Sequence, residues 1–259
     1  MTEEPNTILN VQNLSLSFGG IKALNNLDFS VRRGEIFSII GPNGSGKTSL
    51  FNCITGIYKP DSGKIIFEKN GQKINITRMK PYKIARLGVS RTFQNIKLFS
   101  RMTCLDNILL GMHSHFRSGF IRASLGLDRK EYTNHRRFCE EIMDFLGLEV
   151  YRDTRIADVP MGIQRKIELA RALALRPKLM LLDEPTAGLT SEEKMEFSYF
   201  IKEIREKFDV TVIIIEHDVK VVIQISNRMM ALNYGMKITE GIAEHICKHP
   251  EVVKAYIGA

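Results

Sequence analysis

The sequence predicts an α/β fold with a parallel-sheet core, an N-terminal antiparallel β subdomain and an inserted helical subdomain. Three observations carry this expectation. The unbroken apolar runs "LMLL" (179–182) and "VTVIII" (210–215) have the character of strands buried on both faces. The helix-like stretch "SEEKMEFSYFIKEIREKF" (191–208) lies between them, giving strand, helix and strand at the spacing of a crossover unit. From about residue 95 to 160 the character changes: helix-like "CLDNILLGMHSHF" and "HRRFCEEIMDFLGL" flank "RSGFIRASLGLDRKEYTN", which is basic and weakly patterned.

The remaining elements follow in chain order. "ILNVQNLSLSF" and "ALNNLDFSV" alternate in polarity and read as antiparallel strands beside the main sheet. "GEIFSII" (34–40) reads as a strand and "TSLFNCITGI" (48–57) as the helix after it. "SGKIIFEKNGQKINI" fits a hairpin with Asn70-Gly71 at its turn. In "DVPMGIQRKIELARAL" (158–173) and just beyond, Ile163, Ile167, Ala170 and Ala174 recur at helical spacing, and Pro177 stops the run. Pro160 is tolerable near a first turn, where a missing N–H costs little. These elements make one domain over 1–259, with the core in 1–94 and 161–259 and the helical subdomain in about 95–160. The sequence has no internal repeat and no low-complexity segment.

Composition narrows the class. The chain is 44% hydrophobic and 25% charged, as a soluble globular protein is and a disordered one is not. No apolar run approaches the ~18 residues of a membrane span. The opening "MTEEPNTILN" is acidic and polar, unlike a secretory signal, so a cytoplasmic protein is expected. Lys and Arg exceed Asp and Glu by 37 to 29, giving +8, which suits a phosphate-bearing ligand, an anionic membrane surface or nucleic acid without choosing among them. Cys53, Cys104, Cys139 and Cys247 lie far apart with no C-x-x-C pair, so four reduced thiols are expected.

The strongest chemical signal is "GPNGSGKT", a full match to G-x-x-x-x-G-K-[ST] between a strand and a helix. A chance match in a chain this long is on the order of one in a hundred. Gly41, Pro42, Asn43, Gly44, Ser45 and Gly46 would wrap a polyphosphate with backbone N–H groups at a helix N-terminus. Lys47 would reach the β- and γ-phosphates, and the Thr48 hydroxyl would ligate Mg²⁺, with Ser49 next in the ATP-binding set. In "LMLLDEP", Asp183 ends a buried strand, where it can hold Mg²⁺ through a water. Glu184 can act as general base on the attacking water. His217 in "IIIEHD" lies just past another strand and could polarise a γ-phosphate or serve structure alone. Gln94 in "SRTFQN" means nothing by itself, but its place between core and insertion suits a sensor of Mg²⁺ and water.

Together these parts resemble the ATP-binding cassette of ABC transporters over essentially the whole chain, within the P-loop NTPases. The resemblance makes Gly41–Thr48 the Walker A motif, Gln94 the Q-loop, Leu179–Glu184 the Walker B motif and His217 the switch histidine. It puts Phe18 where the family stacks an aromatic on adenine, a core Phe being the other reading. "TAGLT" (186–190) falls at the D-loop, with Thr190 in place of the usual Asp. "VSRTFQNIKLFSRMTCLDNILLG", "IEHDVKVV", the ending "HPEVVKAYIGA" and the basic insertion after residue 111 look like the ATP-binding subunit of branched-chain amino acid importers, the LivG type.

The family's Leu-Ser-Gly-Gly-Gln signature, which binds the γ-phosphate held by a partner cassette, is replaced by Val159, Pro160, Met161, Gly162 and Ile163, with Gln164 following. Two readings stand: a helix start that still presents amides and its positive end, or a degenerate signature whose hydroxyl and amide contacts are gone. The resemblance implies ATP and Mg²⁺ as cofactors, and an ATPase lying peripherally on the cytoplasmic face of the plasma membrane. It further implies a second ATPase subunit, two permease subunits docked near Gln94 and the insertion, a substrate-binding protein, and no nucleic acid; the altered signature, which would compromise both sites of a homodimer, points to a heterodimer with a cassette that carries a full signature. The basic segment His113–Arg137, with Arg117, Arg122, Arg129, Lys130, Arg136 and Arg137, would face anionic headgroups or the permease, or be a solvated surface. An ATPase of lipid or lipopolysaccharide export, and a non-transport ABC ATPase acting on nucleic acid or ribosomes, are the alternatives. The insertion and ending argue against the first, and the lack of a second cassette or long coiled coil against the other.

Overall fold

The computed structural model describes residues 6–115 and 129–257. Its centre is a six-stranded sheet. β3 (Ile36–Ile40), β6 (Val89–Arg91), β7 (Leu179–Asp183), β8 (Thr211–Ile215), β9 (Arg228–Asn233) and β10 (Met236–Gly241) lie in the order β10-β9-β3-β8-β7-β6. The pairs along β9-β3-β8-β7-β6 are parallel, and only β10 runs antiparallel, against β9. β3, β7 and β8 are buried along their full length, as their unbroken apolar runs require.

The alternation of side chains gives the sheet two different faces. Phe37, Ile39, Leu179, Leu181, Ile213 and Ile215 point to one side, where they meet α1 (Lys47–Ile54) and a second sheet. That sheet is antiparallel, in the order β2-β1-β4-β5, and comprises β1 (Thr7–Phe18), β2 (Ile21–Arg32), β4 (Ser62–Lys69) and β5 (Gln72–Asn75). The β4–β5 turn is Asn70-Gly71 with φ of 52° and 80°, the two left-handed residues that a tight hairpin turn needs.

Ile36, Met180, Leu182, Val212 and Ile214 point to the opposite side. There they join one cluster with α3 (Cys104–Leu109), α4 (Arg129–Phe145), α5 (Met161–Ala174) and α6 (Ser191–Lys207). The helical insertion therefore has no core of its own; Cys104, Ile108, Ile142 and Leu146 share theirs with α5 and the sheet. α2 (Pro81–Leu87) precedes β6, and α7 (Val219–Ile225), α8 (Ala243–Ile246) and α9 (Pro250–Ile257) close the chain. Within the region read as one basic segment, Arg117 and Arg122 lie outside the described residues, Lys130 and Arg137 are exposed, and Arg136 pairs with Glu140 at 3.0 Å. No helix of the described residues is long and apolar enough to cross a membrane.

Burial controls the thiols. Cys53 and Cys139 are pushed up to about 12 and Cys104 to about 11 by desolvation, while Cys247 is half-buried and raised by the same cause. At neutral pH a disulfide-exchange reagent should therefore modify Cys247 first and leave the other three thiols slow, whereas unfolding should expose all four. Rapid native labelling of Cys53 or Cys139 would contradict this packing.

Candidate functional site

The loops that leave the C-terminal ends of β3, β8, β7 and β6 are neighbours because those strands are neighbours and parallel. Gly41–Gly46 follows β3 and runs into α1. Gly46, the N-cap, has φ of 103°, and a Cβ there would lie 2.4 Å from the Ala23 carbonyl oxygen, so only glycine fits. Lys47 is buried and folds back on the loop, its Nζ donating to the carbonyls of Gly41 at 2.8 Å and Pro42 at 2.9 Å. Burial lowers its pKa, with Glu184 and Asp183 opposing that shift. Thr48 is exposed in the first turn of α1, with Ser49 half-buried beside it.

Asp183 ends β7 opposite Ile215 of β8, so the two strands finish level. Glu184 then turns into the left-handed region at φ 47°, its N–H held by the Ile215 carbonyl at 2.9 Å. One Glu184 oxygen accepts from Gln94 Nε2 at 2.8 Å and the other meets His217 Nε2 at 2.7 Å. An ionised carboxylate only accepts, which puts the imidazole proton on Nε2. Gln94, Glu184 and His217, spread over more than 120 positions of sequence, thus form one contact chain. Asp183 is buried; burial pushes its carboxyl upward and the Arg91 guanidinium opposes that. Its Oδ2 pairs with Arg91 at 2.9 Å, while Oδ1 is buried without a hydrogen-bond partner. An orphaned carboxylate oxygen at the end of β7, with a threonine hydroxyl exposed in the first turn of α1, suits a divalent cation with its water shell.

Phe18 is 47% exposed, in a T-shaped contact with Tyr58 at 5.2 Å between ring centres, so it is not a core residue. Its ring is available for stacking.

The segment at residues 159–164 is built differently from a ligand loop. Val159 is buried, Pro160 is the N-cap of α5 without a side-chain cap, and Met161 is 47% exposed. A Cβ on Gly162 would lie 2.5 Å from Glu193 Oε1, so a carboxylate stands against the start of α5. Ile163 packs on the helical cluster, and Gln164 turns inward, Nε2 donating to the carbonyls of Val159 at 3.0 Å and Ile156 at 3.3 Å. Thr190 caps α6 in a reciprocal box with Glu193, so the replacement of the usual Asp keeps the helix start.

Several residues that hold the site escaped the sequence reading. Arg165 Nη2 donates to the Gln94 carbonyl at 2.9 Å and the Ala187 carbonyl at 3.4 Å, tying two loops to α5. Glu216 accepts from the Thr186 N–H and hydroxyl and from the His217 N–H. The Gly41 N–H donates to Tyr256 Oη at 2.8 Å, so α9 braces the glycine loop; "AYIGA" had served only as a mark of resemblance. On the far side of β6 a cavity of about 380 Å³ opens between α2 and α5, lined by Ile57, Ile84, Val89, Phe93 and Leu175 among others.

A glycine loop at a helix start, two acidic residues at the end of the strand one place further along the sheet, beyond β8, and a glutamate shared by Gln and His define a nucleotide site of the P-loop class. The family model described as ABC transporter matches residues 24–187. The high-affinity branched-chain amino acid transport ATP-binding protein BraF of Pseudomonas aeruginosa is 36% identical over 97% of this chain and 98% of its own. The LivG protein of Escherichia coli K12, of the same description, matches equally in identity and coverage. The solved ADP conformation of an ATP-binding cassette of an ABC transporter superposes with a TM-score of 0.84 at 31% identity, over 98% of this chain and 100% of its own. The chain belongs to the ABC transporter family, as a nucleotide-binding ATPase cassette.

Removing the Tyr256 hydroxyl leaves the Gly41 N–H unpaired. Tyr256→Phe should weaken nucleotide binding about fivefold, the equivalent of ~1 kcal/mol for one hydrogen bond. A nucleotide titration with an unchanged melting curve checks this, and full affinity in the variant would remove α9 from the site.

Proposed function

We propose that this chain is the ATP-hydrolysing subunit of an importer for branched-chain or related amino acids, lying peripherally on the cytoplasmic face of the plasma membrane. The observation that carries the reading is the contact chain Gln94–Glu184–His217 beside the glycine loop, in a chain alignable from end to end with such importers' ATPases. Gly41–Ser49 would bind the phosphates of ATP, with Lys47 leaving its loop carbonyls for the β- and γ-phosphates and Phe18 stacking on adenine. Thr48, Gln94 and Asp183 would hold Mg²⁺, which when bound neutralises charge on the β- and γ-phosphates. Glu184, oriented by two hydrogen bonds, takes the proton of the attacking water, and His217, whose Nε2 proton goes to Glu184 in this structure, would turn that proton to the γ-phosphate once nucleotide is bound.

Transport needs two permease subunits and, upstream, a substrate-binding protein. The cavity between α2 and α5 has the apolar lining that a permease segment would fill. The second cassette is proposed to be a different chain. Here Pro160 has no N–H to offer, Met161 lies over Gly188, and the Glu193 carboxylate stands by Gly162. These features make the start of α5 a poor partner for a γ-phosphate. A homodimer would weaken both sites; a heterodimer with an intact signature restores the one built on Lys47 and Glu184 of this chain.

Glu184→Gln should keep ATP binding and lower single-turnover hydrolysis by ~10² or more, as loss of a general base does. Lys47→Ala should lose binding instead. Hydrolysis unchanged by Glu184→Gln would remove that residue from the chemistry.

In the assembled transporter, loss of Glu184 should abolish most ATPase activity and loss of the partner's equivalent should spare much of it. Equal losses, or full activity of this chain as a homodimer, would overturn the asymmetric arrangement.

A further inference from the structure

We propose that Arg91 is a positioning residue for the metal end of the nucleotide site, holding the Asp183 carboxylate so that one oxygen stays free for a divalent cation. The pair is buried on both sides, with the Arg91 side chain 6% and the Asp183 side chain 2% exposed, and Nη2 lies 2.9 Å from Oδ2. The guanidinium has two further acceptors through Nη1, while its Nε is buried without a hydrogen-bond partner. Nη1 donates to Asn52 Oδ1 at 2.7 Å and Thr55 Oγ1 at 3.3 Å, and the carbon of the fork lies 5.5 Å from the centre of the Phe51 ring and 5.1 Å from that of Phe93. A planar fork between two rings can meet a carboxylate and two further acceptors together, which a lysine ammonium on a flexible stem cannot.

The contacts choose the metal end of the site. Asn52 stands on α1, whose first turn carries Lys47 and Thr48, and Thr55 is its C-cap, so Arg91 ties that helix to the end of β7. With Oδ2 committed to Arg91, the carboxylate has one remaining oxygen, Oδ1, buried and without a hydrogen-bond partner. A buried acceptor left in that state calls for a donor that arrives with the ligand, and a metal-bound water is one. Oδ1 is thus held ready by Arg91 rather than left to rotate into the pairing itself.

This inference rests on the proposed role of Asp183 toward Mg²⁺, and the experiment separates the two. Binding of a fluorescent ADP analogue to the full chain is measured with Mg²⁺ and with EDTA, and the ratio of the two affinities is the readout. Arg91→Met is expected to reduce that ratio about tenfold, as loss of a second-sphere partner does, with the EDTA affinity held within about twofold. Arg91→Lys should recover part of the ratio, and Asn52→Ala, which changes no charge, should reduce it less than Arg91→Met does. Should Arg91→Met fail to fold, Arg91→Lys and Asn52→Ala decide by the same ratio. A ratio unchanged in the Arg91 and Asn52 variants while Asp183→Asn loses it overturns the positioning role and leaves Asp183 its metal. Equal weakening with and without Mg²⁺ also overturns it, since a merely structural pair would act that way. A full ratio in Asp183→Asn removes the metal role from Asp183 itself.

Discussion

The site depends on one constraint, the level register of four parallel strands. Ile39 faces Ile215, Ile215 faces Asp183, and Leu181 faces Arg91, so β3, β8, β7 and β6 end along one edge. The glycine loop, His217, Glu184 and Gln94 each begin within a few residues of that edge. A slip of one residue in β7 would turn Asp183 to the helical face and bury Leu182 against α1. The register is held by apolar side chains with no chemical role: Leu179 and Leu181 on one face, Met180 and Leu182 on the other. Core packing and catalysis-ready geometry are therefore the same requirement here.

At that edge the backbone carries strain. Glu184 sits at φ 47°, a conformation that costs an ordinary residue roughly 1–2 kcal/mol. Its N–H to the Ile215 carbonyl and the contacts from Gln94 and His217 oppose that cost. The turn breaks the strand's alternation immediately after Asp183, so consecutive carboxylates take different surroundings: one buried against arginine, the other half-exposed between an amide and an imidazole. Two acidic residues in sequence thus acquire two chemical characters from a single backbone angle.

What could be read from the sequence was what short covalent spacing fixes. The glycine loop between β3 and α1 is set by a continuous octet, and the Asn70-Gly71 turn by two residues, and both form where the sequence places them. The buried strands β7 and β8 announced themselves because a strand covered on both faces is nearly all apolar, Asp183 and Thr211 standing only at strand ends. β6 did not, since three residues ending in arginine carry no periodicity. Arg91 and Arg165 were invisible for a different reason: in a chain with 37 basic residues, nothing local marks these as residues that turn inward. Their partners lie 92 and 71 positions away, and only the sheet order brings them together. Gln164 misled in the opposite direction, since it stands next to the signature yet spends its amide on the Val159 and Ile156 carbonyls.

α5 gives the arrangement its mechanical sense. At 14 residues it is about 21 Å long, enough to reach across one side of the domain. Met161 at its start meets Gly188, Arg165 one turn later grips the carbonyls of Gln94 and Ala187, and Arg171 and Ala172 near its end line the cavity beside α2. Its buried face, Ile167, Ala170 and Ala174, is packed into the same cluster as β7 and the helical insertion. A close-packed rod of this kind has no soft point along its length, so a displacement at the cavity end reaches Arg165 as a shift of the whole helix. Arg165 holds the Gln94 backbone and the Gln94 side chain holds Glu184, which places one hydrogen-bonded path between α5 and the reacting edge, beside the one that Arg91 makes from the cavity wall to Asp183. The insertion has no separate core to absorb such a movement, since Cys104, Ile108, Ile142 and Leu146 pack in the cluster they share with α5 and β7.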